Sequence, residues 1–220
     1  YGMLVGRAGR DPLLRAADIS PDTTVIAYDR DGGTWAARLL WMLQSDGFSG
    51  GRLLDGGLPA WTAAGGALTL DRPPQGNGGI PATPNEEILA HAHDISARLG
   101  EPGLVLLDTR TAAERQETWN NKLRLGMIPG SLWLPRDAFF SPGSVPLLLA
   151  PEQLLARLVT AGFSGAPADT EWIVYGLHGT LAALPWLALS ALPVGTARVY
   201  DGSWSEWGAD AELPLEALPD

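Results

Sequence analysis

The chain has 220 residues, 45% of them hydrophobic and 18% charged, enough for one large or two small globular domains with real cores. Its net charge of −10, with the basic residues scattered and Lys122 the only lysine among 15, indicates a solvated acidic surface and argues against a nucleic-acid partner. There is no cysteine, which excludes disulfides and thiolate metal sites, and no apolar run approaches the ~18 residues of a membrane span.

Tyr1 to Arg7 places its charge after its apolar residues, the reverse of a secretory leader, so a cytoplasmic location without membrane contact is expected. Asp11–Asp18 is a short helical candidate. Val25–Tyr28 reads as a strand, and the loop Asp29–Gly33 feeds a helix from Thr34 to Asp46. Trp35, Leu39, Met42 and Leu43 recur on it at helical spacing and are assigned to the core. Asp46-Gly47 stops the helix, Arg52–Leu54 is a strand, and Asp55-Gly56-Gly57 is a turn that tolerates positive φ. Asp71–Pro84, rich in Pro, Gly and Asn, cannot sustain a helix or central strand and reads as an interdomain strap.

In the second half Asn85 can cap a helix reaching Leu99. His91 and His93 sit on it two apart, off a common face, and are read as solvated surface rather than metal ligands. Leu104–Leu107 is a buried strand ending at Asp108. Thr111–Lys122 is polar and is taken as an exposed helix-loop; Leu132–Leu134 is a short strand and Pro151–Ala161 a helix. Trp172–Tyr175 is a buried strand, and the strand Arg198–Tyr200 closes the series.

Between those last strands lies the stretch Gly176-Leu177-His178-Gly179-Thr180-Leu181, which opens an apolar helix running to Leu192. Strand, tight loop and helix aim backbone N–H groups and a helix N-terminus at one point, which favours an anion. The same layout occurs earlier. Val25 to Gly33 aligns with the region from Trp172 to Thr180 at an offset of 147, Tyr28 on Tyr175 and Gly32 on Gly179. Asp55 then aligns with Asp201, and Trp61 with Trp207, at an offset of 146. The chain is therefore two copies of one α/β unit. The first copy lacks more than forty residues that precede the shared strand in the second, so either an upstream piece is missing from this chain or the first domain is truly reduced. Its sheet should have fewer strands.

Asp201-Gly202-Ser203-Trp204-Ser205-Glu206-Trp207 resembles the hallmark of tandem-domain rhodaneses, the thiosulfate and 3-mercaptopyruvate sulfurtransferases. Leu106-Leu107-Asp108-Thr109-Arg110 resembles that family's strand-end Asp-x-Arg. Gly126-Met127-Ile128-Pro129-Gly130-Ser131 resembles its Gly-His-Ile-Pro-Gly-Ala, with Met for His. Leu54 to Trp61 resembles part of the family's inactive first domain. The resemblance implies an α/β protein of two rhodanese-like domains, each a parallel sheet flanked by helices. They would be a partial, non-catalytic first domain over 1–70, a linker over 71–84, and a second domain over 85–220 with its active-site loop at 176–181.

The decisive departure is Gly176, which stands where the family has its catalytic Cys. The resemblance assigns substrate contact to Arg110, with Arg115 as the alternative, and to Leu177, His178, Gly179, Thr180 and Leu181. His178 takes the loop position that helps set donor choice. Asp108, Asp201, Trp204 and Trp207 are assigned structural roles. Asp29 takes the cysteine's position in the first copy. No metal and no cofactor are expected; the expected partner is a small anion such as thiosulfate or sulfate. Three functional readings follow. One is a rhodanese without sulfurtransferase turnover that keeps an anion-binding loop or a scaffold role. Another is an authentic sulfurtransferase whose Cys has been replaced. The third is a different reaction, such as phosphate-ester hydrolysis, which lacks both a thiol and a metal cluster.

Overall fold

A computed structural model describes residues 3–4, 6–20, 22–71, 83–120, 122–164 and 169–219. The chain divides into two compact units. The first holds Leu4–Glu86 with Gly143–Leu147; the second holds Glu87–Pro142 and Leu148–Asp220 with Tyr1–Met3. Most of the strap expected over 71–84 lies outside the described residues. Among the described residues no helix is long and apolar enough to cross a membrane.

The first unit contains α1 (Arg7–Ala16), β1 (Val25–Ala27), α2 (Thr34–Ser45), β2 (Gly51–Leu53) and α3 (Gly57–Ala63). β1 and β2 pair in parallel, Val25 opposite Gly51 and Ala27 opposite Leu53. Helix α2 buries Ala36, Ala37, Leu40, Trp41 and Leu43, so the core stripe is rotated from the expected one. Trp35 is exposed, and Leu39 and Met42 are only half-buried. Eight of the twelve residues of this helix are apolar and wrap most of its circumference, so its sequence does not fix which face turns inward. The α1 residue Arg10 forms a buried ion pair with Asp46, just past the end of α2.

The second unit contains β3 (Leu89–Ala90), α4 (Ala92–Ala97), β4 (Leu104–Asp108), α5 (Ala112–Arg115) and β5 (Leu132–Trp133). It continues with α6 (Pro151–Thr160), β6 (Glu171–Tyr175), α7 (Gly179–Ser190), β7 (Thr196–Tyr200) and α8 (Ser203–Trp207). Its five strands are all parallel, in the order β3-β7-β6-β4-β5. The single helix expected from Asn85 to Leu99 is instead a 3₁₀ turn at Glu86–Ile88, the edge strand β3 and the short α4. His91 and His93 are exposed on either side of the start of α4.

β6 is buried along Trp172–Tyr175, as expected of a strand covered on both faces. Its residues Ile173 and Tyr175 share one core cluster with Leu106, Leu123, Ile128, Tyr200, Trp204 and Trp207. Helix α7 is buried nearly all round, which its uninterrupted apolar sequence requires. The β4–β6 register sets Asp108 beside Tyr175, so the residues after both strands emerge together at the C-terminal edge of the sheet. Open parallel sheets place their sites at that edge.

Candidate active site

Gly176 leaves β6 and turns the chain into α7. At least three of the six N–H groups from Gly176 to Leu181 are used inside the fold. Gly176 donates to Ser203 Oγ at 3.2 Å, Gly179 to the Asp201 carbonyl at 3.0 Å, and Leu181 to the His178 carbonyl at 3.0 Å. The anion cradle expected from six donors is therefore smaller. Leu177, Gly179 and Thr180 are buried, while His178 and Leu181 are half-buried. His178 is the extended residue that caps α7.

The second strand-turn-helix locks this loop from below. Trp204 donates its N–H to the Gly176 carbonyl at 3.0 Å, and Ser205 donates to the Leu177 carbonyl at 2.8 Å. Ser203 sits at φ 53°, a left-handed conformation uncommon outside glycine, and is fully buried. Its hydroxyl donates to the Tyr200 carbonyl and accepts from Gly176. Ser203 was visible in the sequence only as part of the Asp-Gly-Ser-Trp hallmark. Its bond to position 176 joins residues 27 apart and has no local signature. Asp201, Trp204 and Trp207 are buried, and the indoles donate to the Arg124 and Pro214 carbonyls respectively. Gly179 has no room for a side chain: a Cβ there would lie 2.0 Å from Asp201 Oδ1. At Gly176 the nearest neighbours of an added Cβ are Leu181 Cβ at 3.3 Å and the His178 carbonyl at 3.4 Å.

At the end of β4 lies a buried charge cluster. Asp108 accepts from the Arg110 N–H and Nε, each at 3.0 Å, and from its Nη2 at 2.7 Å. The same Nη2 donates to the Gly126 carbonyl at 2.8 Å. The guanidinium stacks 4.2 Å from the Trp204 ring centroid, and its Nη1 is buried without a hydrogen-bond partner among the described residues. Arg115, expected in an exposed segment, is buried instead. Its Nε lies 3.4 Å from Asp108, its Nη2 contacts the Met127 sulfur at 3.2 Å, and it stacks on Trp133. Burial pulls the Arg115 pKa down from its usual value and the Arg110 charge adds to this, against the support of Asp108. Two guanidiniums thus face one carboxylate, so the cluster carries excess positive charge. Burial raises the Tyr175 phenol, with Asp108 adding to the effect; it stays neutral and accepts from the Ile128 N–H. Asp108 and both arginines are brought together, as are Gly176 and the hallmark turn.

In the first unit Asp29 occupies the position matching Gly176. Its Oδ1 accepts from the N–H groups of Asp31 and Gly33, and its Oδ2 from those of Trp35 and Ala36, all at 2.8–3.0 Å. There the loop donors already hold a carboxylate. Burial would raise the Asp29 pKa, but four backbone donors outweigh it and the net shift is downward. Among the described residues no group of three His, Asp or Glu side chains is placed to hold a metal ion.

A repeated α/β unit of parallel strands, with a tight loop opening a buried helix at the C-terminal edge and a Trp-rich turn beneath it, is a rhodanese-type fold. The rhodanese-like domain model matches residues 5–64 and 91–210, and the chain belongs to that family. A probable 3-mercaptopyruvate sulfurtransferase of Pseudomonas aeruginosa is 38% identical over 223 aligned positions, covering 96% of this chain and 76% of the relative. A thiosulfate sulfurtransferase of the same organism is 30% identical, covering 98% and 78%. The crystal structure of YnjE superposes with a TM-score of 0.84 at 24% identity, covering 99% of this chain. The chain spans about half the length of that structure, 54%.

Proposed function

We propose that this rhodanese-family protein carries no persulfide turnover and that its loop 176–181 is a weak site for a small anion such as thiosulfate or sulfate. The observation that carries this reading is the lack of any cysteine in the sequence, with glycine at the position of the family's nucleophile. Sulfur transfer needs a thiolate to take the outer sulfur of a donor and hold it as persulfide. Glycine has no such group. Neither His178 nor Thr180 replaces it, because imidazole forms no stable persulfide and a threonine hydroxyl needs an activating base. The N-terminus of α7 and the positive excess of Arg110 and Arg115 over Asp108 favour an anion nearby. Three spent loop donors make the affinity low.

The test is Gly176→Cys. Position 176 does not have the positive φ that only glycine tolerates easily, and an added Cβ meets only near-ordinary contacts. Incubation with thiosulfate should then leave one extra sulfur on the protein by mass, sulfite departing. The unaltered chain should show no mass gain and no thiosulfate:cyanide transfer above background. Measurable transfer by the cysteine-free chain refutes the proposal.

One observation favours a second reading, a sulfurtransferase in which glycine has replaced a native cysteine. The space and backbone conformation at position 176 still suit a larger residue. The codon for residue 176 in the encoding gene decides between the two.

A further inference from the structure

Between α5 and β5 the chain runs from Gln116 to Ser131 without a regular helix or strand among the described residues. The last part of this run nevertheless serves the charge cluster. The Gly126 carbonyl takes a hydrogen bond from Arg110 Nη2, and the Met127 sulfur contacts Arg115 Nη2. Such contacts hold their geometry only if the backbone that carries them is fixed, and an irregular segment has no ladder of its own to fix it.

The segment after α8 supplies the missing ladder. Met127 and Glu216 form an antiparallel bridge, each N–H donating to the other's carbonyl, at 2.8 and 3.0 Å. The Glu216 carboxylate also accepts the Gly130 N–H at 2.7 Å. At Gly126 the two segments run so close that a Cβ would lie 2.7 Å from both the Glu216 carbonyl oxygen and Leu215 Cγ. Arg124 anchors the segment in turn. Its guanidinium donates to the carbonyls of Trp207, Gly208 and Leu213 at 2.8, 3.2 and 3.0 Å, and to that of Asp210. A guanidinium over the last carbonyls of a helix satisfies acceptors that the helix leaves open. Leu213 packs against the core cluster.

We infer that residues 208–216 are a strap that positions the arginine pair of the anion site, Glu216 acting as the positioning residue and Arg124 as the anchor. Rings cover the guanidiniums from the side, Trp204 on Arg110 and Trp133 on Arg115. Their edges meet Asp108, the Gly126 carbonyl and the Met127 sulfur, and the strap sets the last two. The part of the strap in anion capture rests on the proposed reading of loop 176–181; its hold on the arginines does not.

The test uses three variants of the whole chain. Glu216→Pro removes the N–H given to Met127 and the carboxylate that holds Gly130, Glu216→Ala removes the carboxylate alone, and Glu216→Gln keeps an acceptor there. The first readout requires no anion: the rate at which phenylglyoxal modifies Arg110 and Arg115, located by peptide mass. Both arginines are buried, so the unaltered chain should react slowly. Glu216→Pro should speed the reaction about tenfold or more and Glu216→Ala a few-fold, while Glu216→Gln should leave it unchanged. Hydrogen exchange on β6 should keep its unaltered rate, which separates release of the strap from unfolding of the unit. If Glu216→Pro does not fold, Glu216→Ala against Glu216→Gln carries the comparison. The second readout adds Gly176→Cys and compares two reagents for the new thiolate. Thiosulfate is an anion that yields its outer sulfur and releases sulfite; iodoacetamide is neutral, alkylates the thiolate and releases iodide. Glu216→Pro should slow the first about tenfold or more and leave the second within about twofold, because a displaced charge clamp penalises only the charged reagent. Unchanged arginine modification in both Glu216→Pro and Glu216→Ala overturns the inference. So does an equal effect on the two reagents, or faster β6 exchange in Glu216→Ala. A Gly176→Cys chain that takes no sulfur from thiosulfate overturns the anion reading of the loop instead, and the arginine modification then still decides the hold of the strap.

Discussion

Replacing Asp108 with Asn tests the charge cluster at the end of β4. The carboxylate takes three hydrogen bonds from Arg110 and lies 3.4 Å from the Arg115 Nε. Both guanidiniums are buried, so neither can turn to water when the charge is removed. Asn keeps one acceptor oxygen, which can still serve the Arg110 N–H. Its amide nitrogen, however, would face Arg110 Nη2, donor against donor. Breaking a buried pair by removing one partner costs about 3–5 kcal/mol, and the retained acceptor places the expectation near the middle, about 4 kcal/mol. For a unit of this size that corresponds to a fall in melting temperature of roughly 10–15 °C. Urea unfolding followed by tryptophan emission reads it directly, because Trp204 stacks on the Arg110 guanidinium. The slope with urea should be unchanged, with the midpoint alone moving. A second arm isolates the cause. Adding Arg110→Met to Asp108→Asn removes one uncompensated charge and should recover about half of the loss. A loss below about 1.5 kcal/mol in the single variant, or a double variant no more stable than the single, refutes the charge argument.

Gly179→Ala should cost about 2–3 kcal/mol by thermal unfolding, because the new Cβ lies 2.0 Å from Asp201 Oδ1 and 2.6 Å from its carbonyl. Gly176→Ala, whose closest contact is 3.3 Å, should stay within about 1 kcal/mol of the unaltered chain. Asp29 has a lowered folded pKa, so it stabilises the first unit above the ordinary carboxylate pKa of about 3.9. That contribution is lost as pH falls through the folded value. Asp29→Asn should therefore flatten the acid limb of the stability curve below about pH 4, while costing about 0.5–2 kcal/mol at neutral pH, both read by circular dichroism.

The long apolar elements were legible in the sequence. β4, β6, α2, α6 and α7 lie within a residue or two of their expected bounds, because burial on both faces or a sustained helical run leaves a strong pattern. Short elements were not. β3 has two residues, too few for a period, and it was absorbed into a helix. Helices α3 and α8 follow Asp-Gly turns and run seven and five residues, so only the turns showed. Arg115 looked like surface because a charged residue in a polar stretch usually is. Its burial depends on Asp108 and Trp133, neither a sequence neighbour. At the site, the repeat located Gly176 and its loop. The internal use of the loop donors stayed hidden, since Ser203 and Asp201 lie more than twenty residues downstream.

The two copies share more of the loop scaffold than their sequences suggest. In the second unit the Trp204 N–H reaches back to the Gly176 carbonyl; in the first, the Leu58 N–H reaches back to the Asp29 carbonyl at 2.9 Å. These are repeat-mates on both sides of the bond. The turn beneath the loop therefore fixes the backbone at the first loop position in the same way in each copy. What differs is the side chain that position presents. In the first unit a carboxylate bends back and takes four N–H groups, so the loop neutralises its own dipole and has no capacity left for an external anion. In the second unit glycine presents nothing, and the downstream turn has claimed the donors at 176 and 179. Neither first position carries a nucleophile, yet the two arrangements are chemically distinct. The first is filled and stabilised by its own charge, whereas the second has no side chain at its first position and adjoins the α7 N-terminus and an excess of buried guanidinium charge. The proposed anion site is therefore placed at residues 176–181 and not at their repeat-mates.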